Sequence, residues 1–377
     1  MRILAVSHEF PPIGGGGANA CLFLTRGLVE RGHQVTLITA NYHGMPEEEI
    51  INGVKIVRVN SKRAHKEHCS FMEMLDYLRK ALPLATKMQK KKAFDLCFVF
   101  FGIPSGPIGY MLKKRFHLPY IIRFGGGDIP GFQERFTKVY RLIAPAIKAI
   151  WKGADALVAN SAGLKKMALD FWDKKDFQII CNGVDTDMFC PGGPNEKGDT
   201  YRILFVSRLI ERKGLQHIIP HLKEMEEHTG KNLTLTIVGD GPYRAHLQEL
   251  ADQSGVSELV TFVGQKDKSE IVSYYQNADL FILPSAKEGM PNVVLEAMSC
   301  GLPVVMTPCQ GSEELISGNG YIADIAHFTE KMEELIVNWE LSKQMGQQSR
   351  RVILDQFSWN HAVIQYEKLM EACVKQR

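Results

Sequence analysis

Asp279-Leu-Phe-Ile-Leu-Pro-Ser285, then Ala286 and Lys287, then Glu288-Gly-Met-Pro-Asn-Val-Val-Leu-Glu296 form the stretch on which the reading of this chain turns. A short apolar run closed by proline has the pattern of a buried strand. The residues from Val293 to Cys300 then follow a helical period, which Gly301-Leu-Pro303 stops. Pro291 stands near the first helical position, where its missing N–H costs nothing. The N–H groups of Gly289, Met290 and Asn292 are therefore expected at a helix N-terminus, the natural place for hydroxyls or an anion. Two carboxylates, Glu288 and Glu296, bracket that turn. Alone, such a pair reads as surface acids complementing a helix dipole. Beside an anion-binding helix end it suits a polyol attached to phosphate.

A second segment changes the weight of the first. Ser207-Arg208-Leu-Ile-Glu-Arg-Lys213-Gly214 follows an earlier strand, Arg202-Ile-Leu-Phe-Val206, and brings cations to the same kind of strand end. With Glu-x7-Glu and Arg-x4-Lys-Gly both present, the chain resembles the retaining glycosyltransferases of family 4. That resemblance implies the GT-B fold, an α/β architecture of two Rossmann-like domains facing across a cleft. It further implies that Arg208 and Lys213 meet the donor diphosphate, that Glu288 contacts the donor sugar, and that Glu296 binds the ribose hydroxyls. The backbone beside Val263 and Gly264 would read the base, and the Gly289–Asn292 helix end would add N–H donors.

The whole length fits that plan. A chain of 377 residues exceeds what one hydrophobic core usually organises. From the N-terminus, strand Arg2–Ser7, the loop Gly14-Gly-Gly-Gly17, a helix over 18–31 and strand Val35–Thr39 make a βαβ unit. The glycines lack Gly-x-Gly-x2-Gly spacing, and the second strand ends Thr39-Ala-Asn-Tyr without an acid for an adenosine ribose, so a nicotinamide dehydrogenase is not the reading. Bare N–H groups at Gly15 and Gly16 still suit a phosphate, and in the resembled family this loop lies near the donor diphosphate. A helix over 71–92 places Met72, Leu75, Leu78, Leu82 and Leu84 on one side; single helices are expected over 138–152 and 215–228. Periodicity fails at Cys190-Pro-Gly-Gly-Pro-Asn-Glu-Lys-Gly-Asp199, which reads as the linker between an acceptor-side domain (1–189) and a nucleotide-sugar domain (200–358). The resemblance implies that the last helix, from Trp359, returns to the first domain.

Charge is divided unevenly. Residues 1–190 carry 27 Lys and Arg against 17 Asp and Glu, and the remainder 18 against 25. A basic first half points to an anionic partner: a lipid-linked phosphate acceptor, a polysaccharide intermediate, or the surface of an anionic membrane. Nucleic acid is not expected, because the lysines do not alternate with aromatics. No apolar run reaches the roughly 18–20 residues of a bilayer span, and the first residues lack signal-peptide anatomy, so a cytoplasmic protein is expected, peripheral at most on the inner membrane face. Eight cysteines without a Cys-x2-Cys pair read as reduced thiols. No cofactor and no metal are expected: Asp185-Thr-Asp187 has a metal-bridging spacing but sits outside a strand end, and the cations take the metal's place.

One position departs from the family. Many members carry a histidine in a His-Gly-x-Asp-like segment after the strand that here ends Tyr120-Ile-Ile-Arg-Phe124, where the chain reads Gly125-Gly-Gly127-Asp128. Asp128 either caps the turn or accepts a hydrogen bond from a sugar or acceptor hydroxyl as a catalytic residue. Two rivals to transfer remain on this reading: a nucleotide-sugar epimerase of the same fold, and a non-catalytic nucleotide-sugar-binding protein.

Overall fold

The structure, a computed structural model, describes residues 1–66, 69–132, 137–193, 199–309 and 311–375. It divides into two compact units, the first comprising Met1–Asn182 with Trp359–Arg377 and the second Gly183–Ser358.

The first unit is built on eight strands: β1 (Arg2–Val6), β2 (Gln34–Ala40), β3 (Glu48–Ile51), β4 (Val54–Val59), β5 (Leu96–Phe100), β6 (Tyr120–Arg123), β7 (Ala156–Ala159) and β8 (Gln178–Ile179). Their order is β3-β4-β2-β1-β5-β6-β7-β8. All neighbours run parallel except β3 and β4, an antiparallel hairpin closed by Asn52-Gly53. The strands are near-continuous runs of Ile, Val, Leu and Phe because helices cover both faces. Helix Gly16–Glu30 and helix Trp359–Lys375 cover the face carrying Ile3, Ala5, Phe98 and Ile121, while helix Phe71–Lys91 joins the core built on Leu4, Val6, Cys97 and Val99.

The terminal helix is seated by a close approach. A Cβ on Gly27 would stand 2.5 Å from Val363 Cγ2, so any side chain there would have to displace Val363. Phe23 stacks on Trp359 at 5.0 Å, and Glu367 takes Arg31 at 2.6 Å and His33 at 2.8 Å.

Helix Phe71–Lys91 begins with a capping box between Ser70 and Glu73, but its buried line is Tyr77, Ala81, Ala85 and Gln89 rather than the leucine stripe. Met72 and Leu75 are exposed. Small residues at 81 and 85 bring this line closest to the sheet, and Leu78, Leu82 and Leu84 pack only in part from beside it. The single helix expected over 138–152 is two, Thr137–Leu142 and Ala144–Gly153, with Pro145 in the first turn of the second. Residues 215–221 form 3-10 turns around Pro220 before helix Leu222–Thr229.

The second unit holds β9 (Thr200–Val206), β10 (Asn232–Val238), β11 (Val260–Gly264), β12 (Leu280–Leu283), β13 (Val304–Met306) and β14 (Gly320–Ile322), all parallel, in the order β11-β10-β9-β12-β13-β14. Counted within this unit the order is 3-2-1-4-5-6, the doubly wound arrangement whose switch point lies between β9 and β12. The change of unit falls at residue 183, ahead of the Pro- and Gly-rich stretch. Val184 N–H bonds Phe357 O, Phe189 O accepts from Ser299 Oγ and Arg350, and Cys190 O accepts from Gln276, so this segment is fastened to the second unit before periodicity is lost. Residues 194–198 of the expected linker lie outside the described residues. No helix among the described residues is long and apolar enough to cross a membrane.

Gly27→Val should cost about 1–3 kcal/mol in urea unfolding, the usual range for an overpacked contact. Adding Val363→Ala should recover most of that loss; full additivity of the two changes would refute the contact.

Candidate functional site

The second unit gathers its chemistry at the carboxyl ends of β9 and β12, beside the switch point. The loop after β9 carries Arg208 to Gly214 and the loop after β12 carries Ser285 to Pro291. Gly214 locks them together: its φ is +81°, and a Cβ there would lie 1.9 Å from Pro284 O. Any other residue would force the loops apart. Ala286 N–H bonds Arg212 O at 2.8 Å, and Thr307 Oγ1 bonds Ser285 O at 2.5 Å.

Within this frame Lys213 Nζ meets Glu288 Oε1 at 2.5 Å, with both side chains mostly buried. Ser285 Oγ donates to the same oxygen at 2.7 Å. Arg208 is exposed at the start of its loop. Arg212, the rival cation, turns its guanidinium to Lys287 O at 2.9 Å. Pro291 is the N-cap residue, and helix Asn292–Ser299 follows, so Gly289 and Met290 lead into the helix end as the sequence predicts. Val263 and Gly264 finish β11, where Gly264 O accepts from Gly239 N–H at 2.8 Å.

Glu296 stands one turn into that helix and is half-buried. Tyr275 donates its hydroxyl to Glu296 Oε2 at 2.9 Å. Burial pushes the Glu296 carboxyl up to about 7, with Lys268 and the Tyr275 hydrogen bond pulling the other way. Since the unfolded carboxyl titrates near 4.5, the folded state binds more protons than the unfolded state between these values. Stability from this group is therefore full below pH 4.5 and lost as pH rises through about 7.

In the first unit the glycine loop opens helix Gly16–Glu30 with Gly15 as its N-cap residue. It lies by the switch point between β1 and β5: a Cβ on Gly17 would strike the Phe101 ring at 2.4 Å. Beside it Arg63 meets Glu9 at 3.1 Å, both largely buried, and His8 packs edge-on against Phe101 at 4.8 Å. Sequence reasoning passed over this trio because Arg63 lies in a segment without periodicity.

Asp128 is buried, and both its oxygens are occupied by backbone. Oδ2 accepts from Gly102 N–H at 2.7 Å, and Oδ1 from Gly125 and Gly126 N–H at 2.9 and 3.0 Å. Burial raises its carboxyl, and these donors work against the rise. In this geometry Asp128 caps the turn. Asp185 likewise caps a turn, accepting from Asp187 and Met188 N–H. Among the described residues no group of three His, Cys, Asp or Glu side chains is placed to hold a metal ion.

Known proteins agree with this architecture. The model for glycosyl transferases group 1 matches residues 192–352, and that for glycosyltransferase family 4 matches residues 14–188. The chain belongs to the group 1, family 4 glycosyltransferases of GT-B fold. A GDP-mannose-dependent α-(1-6)-phosphatidylinositol monomannoside mannosyltransferase of Mycolicibacterium smegmatis is 26% identical, over 95% of each chain. The N-acetyl-α-D-glucosaminyl L-malate synthase of Bacillus anthracis is 24% identical, over 96% of this chain and 94% of the relative. Among solved structures, Anabaena HepE in complex with UDP-glucose superimposes with a TM-score of 0.75 at 17% identity, covering 99% of this chain and 100% of that one.

Two outcomes follow from the side-chain environments. Glu296→Gln should raise stability at pH 8 by about 1–3 kcal/mol, the scale of a shift of this size discounted for partial exposure, with little gain at pH 4.5; thermal melts across pH would show it. Asp128→Asn places an amide NH2 against backbone donors, so it should cost about 1–3 kcal/mol. An unchanged melting temperature for that variant would return Asp128 to a catalytic reading.

Proposed function

We propose that this glycosyltransferase moves a hexosyl group from a UDP-linked sugar to a hydroxyl of a lipid-linked or polysaccharide acceptor, with retention of anomeric configuration and without a metal ion. The observation that carries this is the meeting of Lys213 and Glu288 at the β9–β12 switch point, with Arg208 on the same loop and Glu296 on the adjoining helix. When the bond from the anomeric carbon to the diphosphate breaks, its electron pair leaves on phosphate oxygen. Fixed cations must meet that growing charge. Arg208 suits a forked contact to two phosphate oxygens and Lys213 a point contact.

Glu288 holds Lys213 in place and offers an acceptor oxygen to the sugar hydroxyls. Glu296 takes the ribose diol, and the backbone at Val263 and Gly264 meets the base. The HepE complex supports UDP as the nucleotide, while the mannosyltransferase relative makes GDP the comparison to run beside it. The basic first half, read from sequence, supports an acceptor bearing phosphate or acid groups.

Arg208→Ala should lower turnover of a responsive donor by more than tenfold and lower the melting temperature less than Lys213→Ala does, since the side chain is exposed. Lys213→Ala should lower turnover as much and also cost about 1–3 kcal/mol of stability, because it strands Glu288 without its cation. Donor hydrolysis or transfer measured with a chelator should equal that measured without one. Activity that depends on an added divalent metal would overturn the cation-based account, and isomerised donor recovered without acceptor would replace transfer with epimerisation.

A further inference from the structure

Tyr275 lies in the last turn of helix Lys268–Gln276 and is fully buried. Its ring is fixed on two sides, tilted against Phe281 of β12 at 5.8 Å and edge-on to Phe189 at 5.8 Å. A phenylalanine would fill that apolar space equally well. The hydroxyl instead carries a desolvation cost and donates to Glu296 Oε2 at 2.9 Å. Among the described residues this is the side-chain hydrogen bond that Glu296 receives, and it falls on Oε2 rather than Oε1.

We infer that Tyr275 is a positioning residue for donor recognition: its hydroxyl fixes Glu296 Oε2 so that Oε1 is presented to the ribose diol of a nucleoside diphosphate. The inference rests on the donor reading above. Its physical content is that one oxygen of a two-oxygen acceptor is anchored from the core side, which removes side-chain freedom before the ligand arrives.

The same hydrogen bond has a second effect. The groups facing Glu296 are Tyr275 and Lys268 from the packed helix and Cys300 just beyond its own helix. Burial raises the carboxyl, while the Tyr275 O–H and the Lys268 ammonium favour its ionised form. A diol donates its hydrogens to a carboxylate better than to a carboxylic acid, so ribose-dependent affinity should rise with pH through about 7. Removing the tyrosine hydroxyl moves that midpoint upward.

The test is calorimetric titration of the full chain with UDP, GDP and ADP, followed by the 2′,3′-dideoxy form of whichever binds, from pH 6 to 8.5. Tyr275→Phe should weaken the ribose nucleotide about tenfold at pH 7, the size of one lost charge-assisted hydrogen bond, and leave the dideoxy nucleotide unchanged. The midpoint of the ribose-dependent part should rise. The dideoxy compound shares the phosphate titration, so the difference between the two isolates the diol. In a Glu296→Gln background, adding Tyr275→Phe should change neither affinity, and this pair retains the test should the single variant fold poorly.

Equal loss for both nucleotides, or no loss for either, would overturn the inference while leaving the donor reading intact. Failure of the unaltered chain to bind any of the three nucleotides would overturn the donor reading, and the inference with it.

Discussion

The ion pair between Lys213 and Glu288 is the interaction on which the second unit's site depends. It joins a cation from the loop after β9 to an acid from the loop after β12, strands adjacent in space and separated in sequence by three α-helices and two further strands. A parallel sheet makes this meeting possible because both loops leave the same edge. The reversal of strand order at that edge opens the crevice in which they meet. Neither charge would be comfortable alone at such burial. Ser285 shares the carboxylate oxygen with Lys213, so the acid is held by two donors.

Backbone contact sets the precision of this pair. Gly214 lies directly against Pro284, leaving no room for a Cβ, and the Ala286–Arg212 hydrogen bond fixes the register between the loops. An ammonium on a four-carbon stem is a flexible group; anchoring the residue next to it limits where the charge can go. The arrangement therefore stores its ordering cost in the folded state rather than at the moment a ligand binds.

Much of this was legible in the residues. Arg208, Lys213, Glu288 and Glu296 announce themselves by spacing, and the alternation of apolar runs with helical periods gives the strand succession of both units. The supporting groups were not legible for a specific reason: each acts across the sheet rather than along the chain. Tyr275 lies 21 residues before the acid it serves, and Thr307 reaches back to Ser285. The leucine stripe of helix Phe71–Lys91 failed differently. Periodicity finds the apolar side of a helix, but Ala81 and Ala85 decide which line comes closest to the sheet, and alanine contributes little to the apolar signal. The unit boundary was placed late because composition marks where periodicity stops, while hydrogen bonds from Val184, Phe189 and Cys190 mark where the chain is already fastened.

The two aspartate and glutamate environments show why residue type alone does not assign a role. Asp128 and Glu296 are both raised by burial, yet their oxygens face different partners. Three backbone N–H groups converge on Asp128, so its burial is largely offset within the fold. Glu296 receives one hydroxyl from the core side, on Oε2, and among the described residues that is the side-chain hydrogen bond it takes. A buried acid whose hydrogen-bonding capacity is filled stabilises a turn; one left half-filled at the edge of a crevice holds an unfavourable charge that only a ligand's hydroxyls can relieve. The cost carried by Glu296 in the empty protein is, on this argument, part of the free energy released when the donor arrives.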